Sequence, residues 1–202
     1  MIIWLSRLTG EKTMTVTLSR IATCLALLAL AACATTGGDD AGPVAKTEWP
    51  VGWIDADGDC QDSETEVLVA EVDGLLNWAD PEACTIASGV WRSWASDKQV
   101  PPRSVLVVPL VMPANAEASG ARDWSMEQKT AFLNDLDNLI ILDVASAYVR
   151  GNYGPDRWTP HTRYWCDYAR RWQQVKARHG LSMSEEEQGA TDAMIERSCP
   201  VE

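Results

Sequence analysis

The chain has 202 residues, 46% of them hydrophobic, and a formal net charge of −12, with Asp and Glu outnumbering Lys and Arg 29 to 17. Once a leader and a tether are set aside, about 150 residues remain, enough for one domain with one core. The acidity excludes an overall electrostatic grip on nucleic acid, because such a surface repels polyanions on average.

The first predicted element is a leader. After Met14 come Arg20, the apolar stretch Ile21 to Leu30, and then Ala31-Ala32-Cys33. A short positive segment, about ten apolar residues and small residues at a cleavage point describe a secretory signal. The apolar run is shorter than the roughly 20 residues a membrane-spanning helix needs. Cys33 after Leu-Ala-Ala resembles the bacterial lipobox, in which that cysteine is acylated and becomes the new N-terminus. Met14 is an alternative start, since residues 1–13 add nothing a signal requires. The expected organisation is a lipoprotein signal peptide over 1–32, a flexible tether over 33–50 and a folded domain over 51–202. The tether is small, polar and Gly-rich, Ala34-Thr-Thr-Gly-Gly-Asp-Asp-Ala-Gly-Pro43. Ala34 replaces the aspartate that commonly retains lipoproteins at the inner membrane. The expectation is therefore a lipid-anchored protein on the periplasmic side, at the outer membrane of a Gram-negative host.

Removing residues 1–32 takes away Arg7, Lys12, Arg20 and Glu11, which moves the net charge from −12 to −14. Against that background Arg150, Arg157, Arg163, Arg170, Arg171, Lys176 and Arg178 gather between Tyr148 and Gly180, with only Asp156 and Asp167 among them. Of this basic stripe, Arg150, Arg163, Arg170, Arg171 and Arg178 are the candidates for nucleic-acid contact. Cys24 leaves with the signal. Cys60, Cys84, Cys166 and Cys199 remain, an even number in an exported chain, so two disulfides are expected. Three pairings exist; Cys60–Cys84 with Cys166–Cys199 closes modest loops and is preferred.

Ser63-x-x-Glu66 reads as a capping box opening a helix to about Leu76. Cys84 to Trp91 reads as a short strand. Ser104 to Leu110 is a β-branched apolar run, hence a buried strand. Pro113 to Gly120 reads as loop, and Ser125-x-x-Gln128 caps a second helix. Leu139 to Leu142 is another strand, followed by a helical stretch from Val144 to Arg150. From Thr162 to about Arg178, Tyr164, Trp165, Tyr168, Ala169, Trp172 and Val175 fall on one face and the arginines on the other. Ser184-x-x-Glu187 starts a last helix to Cys199. The fold class is α+β, and the ten tryptophans are expected chiefly as core, with Trp78 and Trp94 unplaced.

Three stretches resemble the HNH endonuclease family, the small exported bacterial nucleases whose domain also ends GmrSD-type restriction enzymes. They are Asp55-Ala-Asp-Gly-Asp-Cys-Gln-Asp; Ala118-Ser-Gly-Ala-Arg-Asp-Trp with Asn134-Asp-Leu-Asp-Asn-Leu; and Gly154-Pro-Asp-Arg-Trp through Tyr164-Trp-Cys-Asp-Tyr and Val175-Lys-Ala-Arg. The resemblance covers nearly all of 53–199, in order. It implies a ββα-metal finger embedded in helices, with a histidine base and metal ligands hydrolysing phosphodiesters. Where the family writes Asp-x-Asp-His-x-x-Pro-Leu, this chain has Arg103-Ser-Val-Leu-Val-Val-Pro-Leu110. Val105 stands for a ligand and Leu106 for the base. Ala147 stands for the ligating Asn of the finger helix. Asn138, which pins the finger loop, is kept, as are Arg150-Gly151, Pro155 and Trp158. His161 and His179 read as surface residues. The expectation is a non-catalytic binding or structural module needing no cofactor, with an unknown protein partner. Two alternatives stand beside it. One is a divergent nuclease using a divalent metal with Glu117, Asp143 or a distant histidine. The other is a calcium-stabilised surface module, since Asp55, Asp57, Asp59 and Glu66 have the oxygen-ligand spacing of a calcium loop.

Overall fold

The computed structural model describes residues 48–200, which belong to a unit spanning 45–202. The signal, Cys33 and most of the tether lie outside the described residues. The elements are α1 (Ser63–Ala70), β1 (Asn77–Trp78), β2 (Ile86–Ser88), β3 (Trp91–Arg92), β4 (Gln99–Val100), β5 (Val105–Pro109), α2 (Pro113–Ala118), α3 (Met126–Leu133), β6 (Leu139–Asp143), α4 (Val144–Arg150), α5 (Trp165–Arg178) and α6 (Glu185–Ser198). The class is α+β, stapled by two disulfides.

Three separate two-stranded antiparallel ladders form: β1–β2, β3–β4 and β5–β6. The longest pairs Val105 with Asp143, Leu106 with Leu142, Val107 with Ile141, Val108 with Ile140 and Pro109 with Leu139. Leu139 to Leu142 are wholly buried, which is why this strand reads as a continuous apolar run rather than an alternation. Around them pack Phe132, Leu110 and Val111, and from α5 Tyr168, Ala169, Trp172 and Val175. The α5 face predicted from its spacing is the face it buries, although Thr162–Tyr164 forms a 3₁₀ turn ahead of the helix proper.

Several expectations need correcting. The cap of α1 is Asp62, whose side chain accepts from the Thr65 amide at 2.9 Å; Ser63 is buried and donates to the Ile54 carbonyl. The helix stops at Ala70 because Val72 leaves it to bridge Trp91. The strand predicted over 84–91 breaks into β2 and β3. A Cβ on Gly89 would stand 2.7 Å from the Trp91 ring, so only glycine lets the chain pass there. Residues 113–118 are helical rather than loop: Pro113 sits in the first turn, where its missing N–H costs nothing. Ser125 and Ser184 do close full capping boxes with Gln128 and Glu187.

Cysteines pair Cys60–Cys84 and Cys166–Cys199, spanning 24 and 33 residues. The second joins the start of α5 to the end of α6. Between those helices lies a buried ion pair, Lys176 Nζ to Glu187 Oε2 at 2.7 Å. Trp94 is core: its ring stacks on Tyr164 at 4.9 Å and its N–H donates to Glu71. Trp78 is half-buried in β1.

Candidate functional site

The ladder β5–β6 runs directly into α4, a strand–strand–helix unit. Asp143 ends β6 and caps α4: its Oδ1 accepts from the Ser146 amide and its Oδ2 from Ser93 Oγ, each at 2.8 Å. Burial works to raise the Asp143 pKa, but these hydrogen bonds outweigh it and hold the carboxyl below its ordinary range. On the unit, Val105 and Ala147 pack against the core and Leu106 faces solvent. None of the three side chains carries an atom that binds a cation or takes a proton. A divalent metal therefore does not fit this donor set.

What fastens the unit is fully polar. Asn138 is buried; its Oδ1 accepts from the Val111 amide at 2.8 Å and its Nδ2 donates to the Phe132 carbonyl at 3.0 Å. Arg150 is 1% exposed. It donates to the carbonyls of Pro109 and Leu110 at the end of β5, and its guanidinium lies 5.1 Å from the centre of the Trp158 ring. Burial lowers its pKa.

Of the substitute groups, Asp143 lies on the unit and is bonded by Ser93 and Ser146, while the others lie elsewhere and are engaged. Glu117, on α2, accepts from the Trp49 indole at 2.6 Å. His161 accepts from the Arg163 amide at the turn before α5. His179, expected at the surface, is instead wedged in place: Nε2 lies 2.8 Å from Asp135 Oδ2 and the ring meets Phe132 edge-on at 5.1 Å.

The basic stripe also dissolves on folding. Arg150 is interior. Arg171 donates to the carbonyls of Leu136, Asp137 and Leu139 and stands 3.7 Å from Glu71. Arg178 bonds Asp135 and Asp137. Arg171 and Arg178 hold the loop ahead of β6 and Arg150 the end of β5, which sequence position could not reveal. Arg163 lies 3.7 Å from Asp97, and Arg170 alone of the five faces solvent with no ion pair among the described residues. Arg163, Arg170 and Arg178 keep exposed side chains, and two of these three are committed to aspartates.

A second charged region is a cleft of about 400 Å³ floored by Trp94 and Tyr164. Burial outweighs the Trp94 and Arg171 contacts and raises the Glu71 pKa. Burial and the bond to Asp97 push the Tyr164 hydroxyl up to about 12. Asp73 pairs with Arg92, Arg163 with Asp97 and Glu71 with Arg171, whose guanidinium also feels the charge of Asp167.

Asp55, Asp57 and Asp59 form the one group of three acidic, histidine or cysteine side chains, among the described residues, close enough to share a cation. Their oxygens lie within 4.8 Å of one another and all three are exposed. Glu66 is outside that group, yet burial, and then the charges of Asp57, Asp59 and Asp55, push its carboxyl up.

Among the described residues no helix is long and apolar enough to cross a membrane. No family model and no solved structure matches the chain. It is 35% identical over 154 residues to an uncharacterized secreted protein of Arthroderma benhamiae, covering 71% of this chain and 70% of that one. The chain belongs to the same family as that protein.

Proposed function

We propose that this relative of a secreted fungal protein is itself exported, and that it carries an HNH-like domain which has lost its chemistry and serves as a non-catalytic binding module. One observation carries the reading. The strand–strand–helix unit has aliphatic side chains at all three positions where the resemblance calls for a base or a ligand, while Asn138 and Arg150, which fasten it, are buried and bonded. A hydrolase needs a group that activates water and one that offsets charge on phosphate; Val105, Leu106 and Ala147 supply neither. The secreted relative supports export. Acylated Cys33 would hold the domain at a membrane, and metabolic labelling with palmitate, lost in Cys33→Ser, tests that.

The test of lost chemistry is cleavage of plasmid and single-stranded DNA by residues 34–202, with magnesium, manganese, calcium and zinc supplied separately. The unmodified protein leaves DNA intact. Val105→Asp, Leu106→His, Ala147→Asn together restore measurable nicking if the scaffold alone was kept. Cleavage by the unmodified protein overturns the proposal. A second reading, calcium stabilisation of the 55–66 loop, is favoured by the convergence of Asp55, Asp57 and Asp59. It requires a calcium-dependent rise in melting temperature that Asp57→Ala abolishes.

A further inference from the structure

The helix α4 is inside out. A surface helix normally buries its apolar stripe and shows polar side chains to water. Here the fully buried residue is Arg150, while Val144, Tyr148 and Val149 are 48%, 89% and 70% exposed, and Leu106 beside them on β5 is 38% exposed. Only Ala147 and Arg150 of α4 turn inward, one against the core and one to the end of β5. An apolar face maintained against water marks a contact surface.

Its relief is specific. Two depressions meet at Ser146. One, of about 280 Å³, is apolar and lined by Ala95, Ala145, Ser146, Val149 and Trp158. The other, of about 330 Å³, is lined by Ser96, Lys98, Gln99, Ser104, Asp143 and Ser146. Both Asp143 oxygens are taken up by Ser93 and Ser146. Lys98 makes no ion pair among the described residues, nor does Arg103 next to this wall. Lys98 is exposed, so its ammonium is open to a partner's carboxylate, while the Asp143 carboxylate beside it is already engaged by Ser93 and Ser146. The four exposed apolar side chains present roughly 450 Å², well short of the ~800 Å² per partner of a standard interface between folded proteins. That footprint, with a hole sized for one or two side chains, suits a short segment.

We propose that the α4–β5 face binds an extended peptide segment of a partner protein, with an apolar anchor side chain seated against Val149 and Trp158 and a neighbouring carboxylate facing Lys98. This deepens the reading of a non-catalytic module and rests on it. Anchors in pockets give such contacts their energy and a flanking charge gives them selectivity.

The test is selection of a phage-displayed heptapeptide library on residues 34–202, in EDTA and without nucleic acid. Enriched peptides should share an apolar anchor within three residues of Asp or Glu. Val149→Asp, at an exposed position, should weaken their binding at least tenfold without lowering the melting temperature. Lys98→Glu should reverse the flanking preference from acidic to basic. Failure to enrich, or binding indifferent to both variants, overturns the proposal. So does a Val149-dependent dimer in sedimentation, which would give the face to a second copy, or Val149-dependent binding to phosphatidylglycerol vesicles, which would give it to lipid. DNA cleavage by the same preparation would overturn the non-catalytic reading instead, whatever the peptides do.

Discussion

Replacing Lys176 by Met should expose how much of the fold hangs on one ion pair. Its ammonium uses all three protons: Glu187 Oε2 at 2.7 Å, Ser119 Oγ at 2.8 Å and the Ser182 carbonyl at 3.0 Å. Glu187 also accepts from Asn115 at 2.5 Å and from the Ser184 amide at 3.1 Å. The side chains are 1% and 7% exposed. Burial dominates and lowers the Lys176 pKa, although Glu187 opposes it, so the charge is held at a desolvation cost. Methionine keeps the packing and strands a buried carboxylate, which costs about 3–5 kcal/mol, a large share of the 5–15 kcal/mol that stabilises an ordinary domain. Lys176→Met/Glu187→Met removes both charges together, which alone is near neutral, and should lie only about 1–2 kcal/mol below the parent because the α6 cap and Asn115 lose their acceptor. Urea unfolding followed by tryptophan emission measures both, and Trp172, 5.6 Å from the ammonium, is a native-state reporter. Additive single and double losses, or a Lys176→Met loss under about 1 kcal/mol, would refute a coupled buried pair.

Asn138→Ala leaves the buried Val111 amide without an acceptor and should cost about 2–3 kcal/mol in the same assay, with faster hydrogen exchange at Val111. Replacing both Cys166 and Cys199 by Ser opens a 33-residue loop and should cost about 3.7 kcal/mol on the chain-entropy account, against about 3.5 for Cys60 and Cys84. Glu71 has its carboxyl raised above the usual 4.5, so its contribution is present at low pH and lost as pH climbs through the raised value. Glu71→Gln, which can still accept from Trp94, should flatten the decline of melting temperature with rising pH from 4.5 upward; parallel curves would contradict this.

Legibility in the sequence followed the length of the signal. The α5 face was readable because fourteen residues repeat one period, and β6 because four consecutive residues stay apolar. Ladders of two or three residues such as β1–β2 and β3–β4 carry no periodicity to read. The helix α2 hid behind Pro113 and small residues that look like loop. At the site, Val105, Leu106 and Ala147 were found through resemblance to a family, and the cysteine pairing through loop length. The arginines misled because charge is visible in a sequence while its partners are not: Arg171 and Arg178 answer groups at 135–139, more than 30 residues upstream. The α4 pattern Val-Ala-Ser-Ala-Tyr-Val-Arg was legible as apolar, but only the fold shows that the apolar side faces out.

The bridge from Cys166 to Cys199 has a bearing on resistance to proteolysis. A helix normally frays from its end, and trimming enzymes advance along whatever has frayed. Since α6 ends at Ser198 and Cys199 is bonded to the start of α5, its last turn cannot peel away by itself. An exopeptidase working in along α6 would stall at the crosslink.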